Sequence, residues 1–339
     1  MEPTGPHASG GAEINATAIS AATGTRRGVP RGVWKFRWVL AWAVCVVLFI
    51  VLVGFPGSRA QIFVMVGVGL IASGTASASG TRWKQVVIDW LPFYALLALY
   101  DFLRGSADTW LMPHVLPQIR IDEWLFGGNT PTVPLQRALY TPGVAHPWDY
   151  AAFTVYMTHF VVPFLVAGLL WKFAHERFRR FAWLFVLLTF ATLATYALYP
   201  AVPPWLASKN GYLPPTAKII DEMWTHVRLS NGSGIFSATG HFADPVAAMP
   251  SLHAAYPMLL VLFFWKSAGR WRWLLALYPL AMALTLVYTA EHFVIDILVG
   301  WMYVTAVFVI GNRVFDIYVA RNTGPRRPRS TRPDAVVRV

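Results

Sequence analysis

Residues 273–289 read WLLALYPLAMALTLVYT, residues 290–292 read Ala-Glu-His, and residues 293–312 read FVIDILVGWMYVTAVFVIGN. Two apolar runs, each near the ~20 residues that cross a bilayer, are separated by three residues. So short a link turns the chain straight back, and the pair reads as a transmembrane helical hairpin. The only acids in the stretch, Glu291 and Asp296, sit at the turn with His292.

Working outward, the chain is 56% hydrophobic and only 13% charged, about half the charge of an average soluble domain. Six further apolar segments run over approximately 37–54, 61–77, 86–103, 149–171, 181–199 and 252–267. This predicts an all-α, polytopic membrane bundle of about eight spans. Residues 1–30 show no periodicity and read as a disordered cytoplasmic N-terminus without a signal-peptide pattern. Residues 31–85 hold two amino-terminal helices, 86–315 a six-helix core, and 316–339 a basic tail. Two long segments, 104–148 and 200–251, interrupt the core on one side of the membrane. Loops of that length in a compact protein usually carry function.

Lys and Arg set the orientation. With the N-terminus on one side, twenty-one of the 28 basic residues fall on that side. By the positive-inside rule that side is the cytoplasm, and both long loops lie outside. The net charge of +12 is thereby accounted for without nucleic acid. The single cysteine, Cys45, excludes an intrachain disulfide and a cysteine metal cluster. No metal-ligand spacing or Gly-rich phosphate loop is evident, so no cofactor is assigned.

Two motifs carry chemistry. Ala248-Met249-Pro250-Ser251-Leu252-His253-Ala254-Ala255-Tyr256 opens the segment at 252, with Pro250 suited to a first helical turn and Ser251 and His253 at the helix start. Free N–H groups and a partial positive charge at that end favour a phosphate. Tyr288-Thr289-Ala290-Glu291-His292-Phe293-Val294-Ile295-Asp296 opens the last segment, with His292 and Asp296 four apart on one helix face. The spacing of the two histidines fits one helix in, a basic turn at 266–272, and one helix back. Both therefore return to the outer surface. A neutral imidazole can attack a phosphoester to form a phosphohistidine, and a carboxylate on its other nitrogen fixes the tautomer. A second histidine can serve the leaving and entering hydroxyls as acid and base. Each histidine alone is more often structural. Two at matching ends of spans, one with an i+4 acid, favour a site, as intramembrane ionisable groups generally do.

Pro250-Ser251-Leu252-His253 and His292-Phe293-Val294-Ile295-Asp296 resemble the last two signature motifs of the type 2 phosphatidic acid phosphatase superfamily. The look is nearest to its inositol phosphorylceramide synthase-like branch, which Tyr199-Pro200-Ala201-Val202-Pro203-Pro204-Trp205 also resembles. The resemblance covers about 95–312. It implies a six-helix catalytic core, a metal-independent phosphohistidine mechanism, His292 as nucleophile, Asp296 as its orienting partner, and His253 as general acid/base. Ser251 and helix N–H groups would hold phosphoryl oxygens. The superfamily's Ser-Arg pair is replaced by Thr285 and Leu286, and its Lys and Arg-Pro motif is absent. Arg104, at the outer end of the third segment, is the candidate replacement cation, with snorkelling or pairing to Asp101 or Asp108 as the plain alternative. His159 is a candidate for substrate binding, against a satisfied bundle histidine.

The implied function is transfer of a phospho-headgroup, such as phosphoinositol, from a phospholipid or polyprenyl-phosphate donor to a lipid or glycolipid acceptor. The alternatives are hydrolysis of phosphatidic acid or polyprenyl phosphate or diphosphate, and a non-catalytic lipid transporter. A transport site lies near the midplane, whereas these residues cluster at one face. The composition fits a bacterial plasma membrane; oligomeric state is left open.

Overall fold

The computed structural model describes residues 37–52, 111–227 and 246–322, with isolated positions and short runs between 65 and 99. Arg104 lies outside the described residues, as do most of segment 61–77 and part of segment 86–103. The described chain is helical: α1 (Arg37–Leu52), α2 (Leu116–Leu125), α3 (Thr132–Leu139), α4 (Pro147–Phe173), α5 (His175–Leu198), α6 (Pro204–Lys209), α7 (Ile219–His226), α8 (Leu252–Phe264), α9 (Arg272–Tyr288) and α10 (Val294–Asn322). Among the described residues, α4, α5, α9 extended back to Gly269, and α10 are long and apolar enough to cross a membrane, and α8 is shorter but equally apolar. The protein is an all-α, polytopic membrane protein.

Helices α4, α5, α8, α9 and α10 pack together, with α8 held among the other four. The reason is visible along α8: its faces are apolar nearly all round, and Leu252, Ala254, Ala255, Leu259 and Leu260 are buried. One aromatic cluster joins Phe178, Phe181 and Phe185 of α5 to Trp90 and Phe93. A second cluster, of Phe153, Met223, Trp224, Met282 and Leu286, fastens the short helix α7 to α4 and α9. The outward rows of the spans remain apolar, as lipid contact requires: Val161, Leu165, Leu277, Leu284 and Met302 are exposed.

The two long loops are not extended chain; their described parts fold into α2, α3, α6 and α7. Backbone bridges link His114 to Ala201 and Ala201 to Ala247, so the Pro-rich segment after α5 is the middle of three adjacent strands of chain without forming a sheet. The α4 start is fixed by Asp149. One carboxylate oxygen accepts from the His146 N–H at 2.8 Å, and the other accepts from the Tyr288 hydroxyl at 2.5 Å. Helix α10 continues ten residues past the apolar run that ends at 312. Its surface there is polar but partnered: Arg180 donates to Asn312 at 3.0 Å and pairs with Asp316 at 2.5 Å.

Helix α8 begins differently from the reading of Pro250. Ser251 is the N-cap, in extended backbone, and accepts from the Ala254 N–H at 3.3 Å. Pro250 precedes the cap and is outside the helix. Ser251 is itself tied to α10, donating its N–H to the Asp296 carbonyl at 3.0 Å. Directly opposite stands Gly300, where a Cβ would fall 2.5 Å from the Ser251 carbonyl oxygen. Absence of a side chain at Gly300 is what lets the two motif-bearing helices approach this closely.

Candidate active site

Three histidines from three parts of the chain meet where α4, α8 and the start of α10 converge. His292 Nε2 lies 3.4 Å from His253 Nδ1. His292 Nδ1 faces Asp296 Oδ2 at 3.5 Å, the outer limit of a hydrogen bond. Such contacts often tighten only when substrate binds. The His159 ring lies 4.0 Å, centroid to centroid, from that of His253 and 5.0 Å from that of Tyr256, on which it stacks. Tyr156 stacks on His253 at 4.8 Å. The rings hold His253 between apolar faces, and the imidazole nitrogens His159 Nδ1 and His253 Nε2 are buried without a hydrogen-bond partner among the described residues.

Asp296 is fully buried. Its Oδ2 also accepts from the Phe293 N–H at 3.0 Å, whereas Oδ1 has no partner among the described residues. The next two amides of the helix start, Val294 and Ile295, donate to Asp122 at 2.9 and 3.0 Å. All three N–H groups at the head of α10 are thereby occupied. The head of α8 is different. Ser251 covers the Ala254 N–H, and the amides of Leu252 and His253 have no intrahelical acceptor to reach. Those two, beside the imidazole of His253, are the amides available to a phosphate.

Asp122 was not singled out from the sequence. It belongs to α2, whose buried side is Gln118, Ile119 and Asp122. An acid on the buried side of a short helix was the one available signal. Burial pushes its carboxyl up to about 6, with the Val294 and Ile295 amides opposing. In the unfolded chain the proton is lost near pH 4; in the folded protein it is held to about pH 6. The folded state therefore binds more protons in that window, and stability falls as pH rises through it, by up to about 3 kcal/mol. Asp122→Asn is expected to flatten that slope, read as apparent Tm in detergent between pH 4 and 7. An unchanged slope would refute the assignment.

The turn into His292 is strained. Ala290 has φ 62°, a left-handed conformation that costs an L-residue about 1–2 kcal/mol. The turn holds because the Glu291 and His292 amides both donate to the Leu286 carbonyl, at 3.0 and 3.3 Å, and the Ala290 carbonyl accepts from Trp205 at 3.1 Å. Ala290→Gly is expected to raise stability by about 0.5–1 kcal/mol, the relieved strain less the added unfolded-chain entropy. A lower Tm would contradict that strain. Glu291 has a buried Oε1 without a partner among the described residues, and burial raises its carboxyl to about 6 against the pull of Lys218.

The structure thus brings together His159, His253, His292, Asp296 and Ser251, five of the six residues selected from sequence. Thr285 and Leu286, at the positions where the superfamily has Ser-Arg, are both buried. Leu286 contributes packing and its carbonyl, and no cation reaches the site from there.

Comparison with known proteins agrees with this arrangement. The PAP2 superfamily model matches residues 120–310. The phosphoinositol dihydroceramide synthase of Bacteroides thetaiotaomicron is 30% identical over 238 residues, covering 66% of this chain and 75% of that protein. The inositol phosphorylceramide synthase of Candida albicans is 26% identical, over 77% of this chain and 55% of its own length. The inositol phosphorylceramide synthase catalytic subunit aur1 of Schizosaccharomyces pombe is 26% identical over 68% of this chain and 53% of its own length. The chain thus spans about half the length of the two fungal relatives. No solved structure matches. With the family model covering more than half of the sequence and both motif histidines inside it, the chain belongs to the PAP2 superfamily.

Proposed function

We propose that this protein is an integral-membrane lipid phosphotransferase that moves a phospho-headgroup onto a lipid or glycolipid hydroxyl through a phosphohistidine on His292. The observation that carries the reading is the His253–His292–Asp296 alignment. Nε2 of His292 points toward His253 and Nδ1 toward Asp296. The names of the relatives, all phosphoinositol-transferring synthases, support this over simple hydrolysis.

In the first half-reaction, Nε2 of neutral His292 attacks phosphorus. The bond to the lipid alkoxide breaks, and the alkoxide takes the proton from His253. Asp296 accepts from Nδ1–H and stabilises the positive charge on the ring. In the second, His253 removes the acceptor's hydroxyl proton, the resulting oxygen attacks phosphorus, and the N–P bond breaks. A phosphoryl group on Nε2 has to enter the 3.4 Å gap between the rings, so substrate spreads them. The Leu252 and His253 amides, with Ser251 as their cap, support the phosphoryl oxygens. His159 buttresses His253, and Arg104 is the proposed added cation.

The distribution of Lys and Arg supports a plasma-membrane protein with an eight-span arrangement, cytoplasmic termini and the site at the outer face. The test is incubation of purified protein with headgroup-labelled phosphatidylinositol and ceramide, diacylglycerol or glycolipid acceptors. Label on an acceptor, lost in His292→Ala, is the expected outcome. Label released only to water identifies a hydrolase, and free phosphate released from phosphatidic acid identifies a phosphatase. Absence of any turnover by the wild type, or turnover unaffected by the substitution, sinks the reading.

A further inference from the structure

A cavity whose mostly apolar wall carries a few polar groups is lined by none of the histidines. It has a volume of about 610 Å³, and its walls include Gln136, Arg137 and Tyr140 from α3 and its end, Trp205 and Lys209 from α6, and Thr216. That size accommodates far more than a lone phosphate. No carboxylate lines it. Arg137 and Lys209 are exposed and have no acidic partner among the described residues. The ammonium of Lys218 lies nearby, 4.7 Å from the centroid of the Trp205 ring, and is paired with Asp221 at 3.2 Å, so Arg137 and Lys209 are the cations of the wall. Glu222, which also reaches this region, accepts from the Tyr140 hydroxyl at 2.5 Å. Thr216 Oγ1 is buried without a hydrogen-bond partner among the described residues.

The cavity is built, not incidental. Gln136 is buried and makes three hydrogen bonds of 2.8 Å. Its Nε2 donates to the carbonyls of Ala217 and Tyr288, and its Oε1 accepts from the Ala217 N–H. The Trp205 N–H donates to the Ala290 carbonyl. The same residues that wall the cavity thus hold the 288–290 turn that delivers His292.

We propose that this cavity recognises a phosphorylated polyol headgroup, with Arg137 and Lys209 gripping anionic oxygens and Thr216 meeting a hydroxyl. The polyol identity rests on the phosphotransferase reading above. Arginine supplies bidentate contact and lysine a point charge.

The test uses the full chain in detergent, in a His292→Ala background that stops turnover. Probes are inositol 1-phosphate, inorganic phosphate, and nanodiscs containing phosphatidylinositol or phosphatidylcholine alone. Inositol 1-phosphate is expected to bind at least tenfold more tightly than inorganic phosphate. Arg137→Gln with Lys209→Gln is expected to weaken it at least thirtyfold, and Arg137→Lys to restore part of the loss in the Lys209 wild-type background. Thr216→Val is expected to weaken the polyol phosphate but not inorganic phosphate. Binding of phosphatidylinositol nanodiscs together with the soluble ester supports the shared chemistry, and binding of the nanodiscs alone assigns the lipid as source. Equal binding by the double Gln variant, with Tm unchanged, overturns the proposal, as does preference for phosphatidylcholine. Loss of binding in that variant alongside undiminished turnover by His292→Ala would remove the catalytic reading and leave the cavity standing.

Discussion

His292→Ala is expected to lower turnover by roughly 10⁴-fold or more, because the group that would bond to phosphorus is gone and water must replace it. His253→Ala is expected to cost less, about 10²–10⁴-fold, the usual worth of a positioned acid or base. The two separate on an activated substrate. A nitrophenyl phosphodiester expels a leaving group that needs no proton, so the His253 variant should recover most of its first-step rate and the His292 variant none. In the His253 variant, acid-labile phosphate should also accumulate on the protein, since activation of the acceptor is slowed. Equal losses on both substrates would refute the division of labour. Asp296→Asn tests the third member: the 3.5 Å contact to Nδ1 predicts a loss in kcat with little change in KM, since tautomer control acts on chemistry and not on binding.

The second large effect is at Gly300. A methyl group there would meet the Ser251 carbonyl oxygen at 2.5 Å and the Ser251 nitrogen at 3.4 Å. Both are backbone atoms, and the same residue is pinned by its N–H to the Asp296 carbonyl and by its carbonyl to the Ala255 N–H. Nothing at that contact can rotate aside. Gly300→Ala is expected to cost about 1–3 kcal/mol in strain, offset by up to about 1 kcal/mol from better helix propensity. The larger loss is in rate. Pushing α8 from α10 moves His253 away from His292, and a displacement of about 1 Å lowers rates on the order of 10²-fold. Gly168, in α4, has nothing within 4 Å of its Cβ position, so Gly168→Ala serves as the control and should keep the rate, with Tm unchanged or raised by the better helix propensity. Full activity in Gly300→Ala would show that the close approach is dispensable.

Much of this was legible in the sequence because it depends on local pattern. Apolar runs between 149 and 312 mark most helix ends to within three residues; α5 begins six residues ahead of its run, in the polar stretch His175–Arg180, and α10 overruns its run, where Arg180 partners its polar end. The motifs announced His253, His292 and Asp296 because each sits at a span boundary where a polar residue is conspicuous. Asp122 and Gln136 gave no such signal. Both lie in short helices within long loops and act on backbone groups more than 150 residues away, so no spacing rule connects them to their partners. Ser251 was placed correctly in the chain, but its capping geometry depends on the path of Pro250, which sequence leaves open. The stacking of His159 on Tyr256 likewise depends on how α4 rotates in the bundle, and the weak asymmetry of its apolar pattern does not specify that rotation.

The Asp122 tie has a consequence for biogenesis. The carboxylate is made 172 residues before the Val294 amide it holds. A chain synthesised and inserted from its N-terminus makes α2 long before α10 exists, and for that interval Asp122 is solvated and ionised with no amides to receive. Helix α10, made after the other described helices and directly following His292, is therefore the one that orders α2. Chains stalled or clipped ahead of residue 294 lack α10 and also leave α2 unlatched, an open form that limited proteolysis would distinguish from the finished protein.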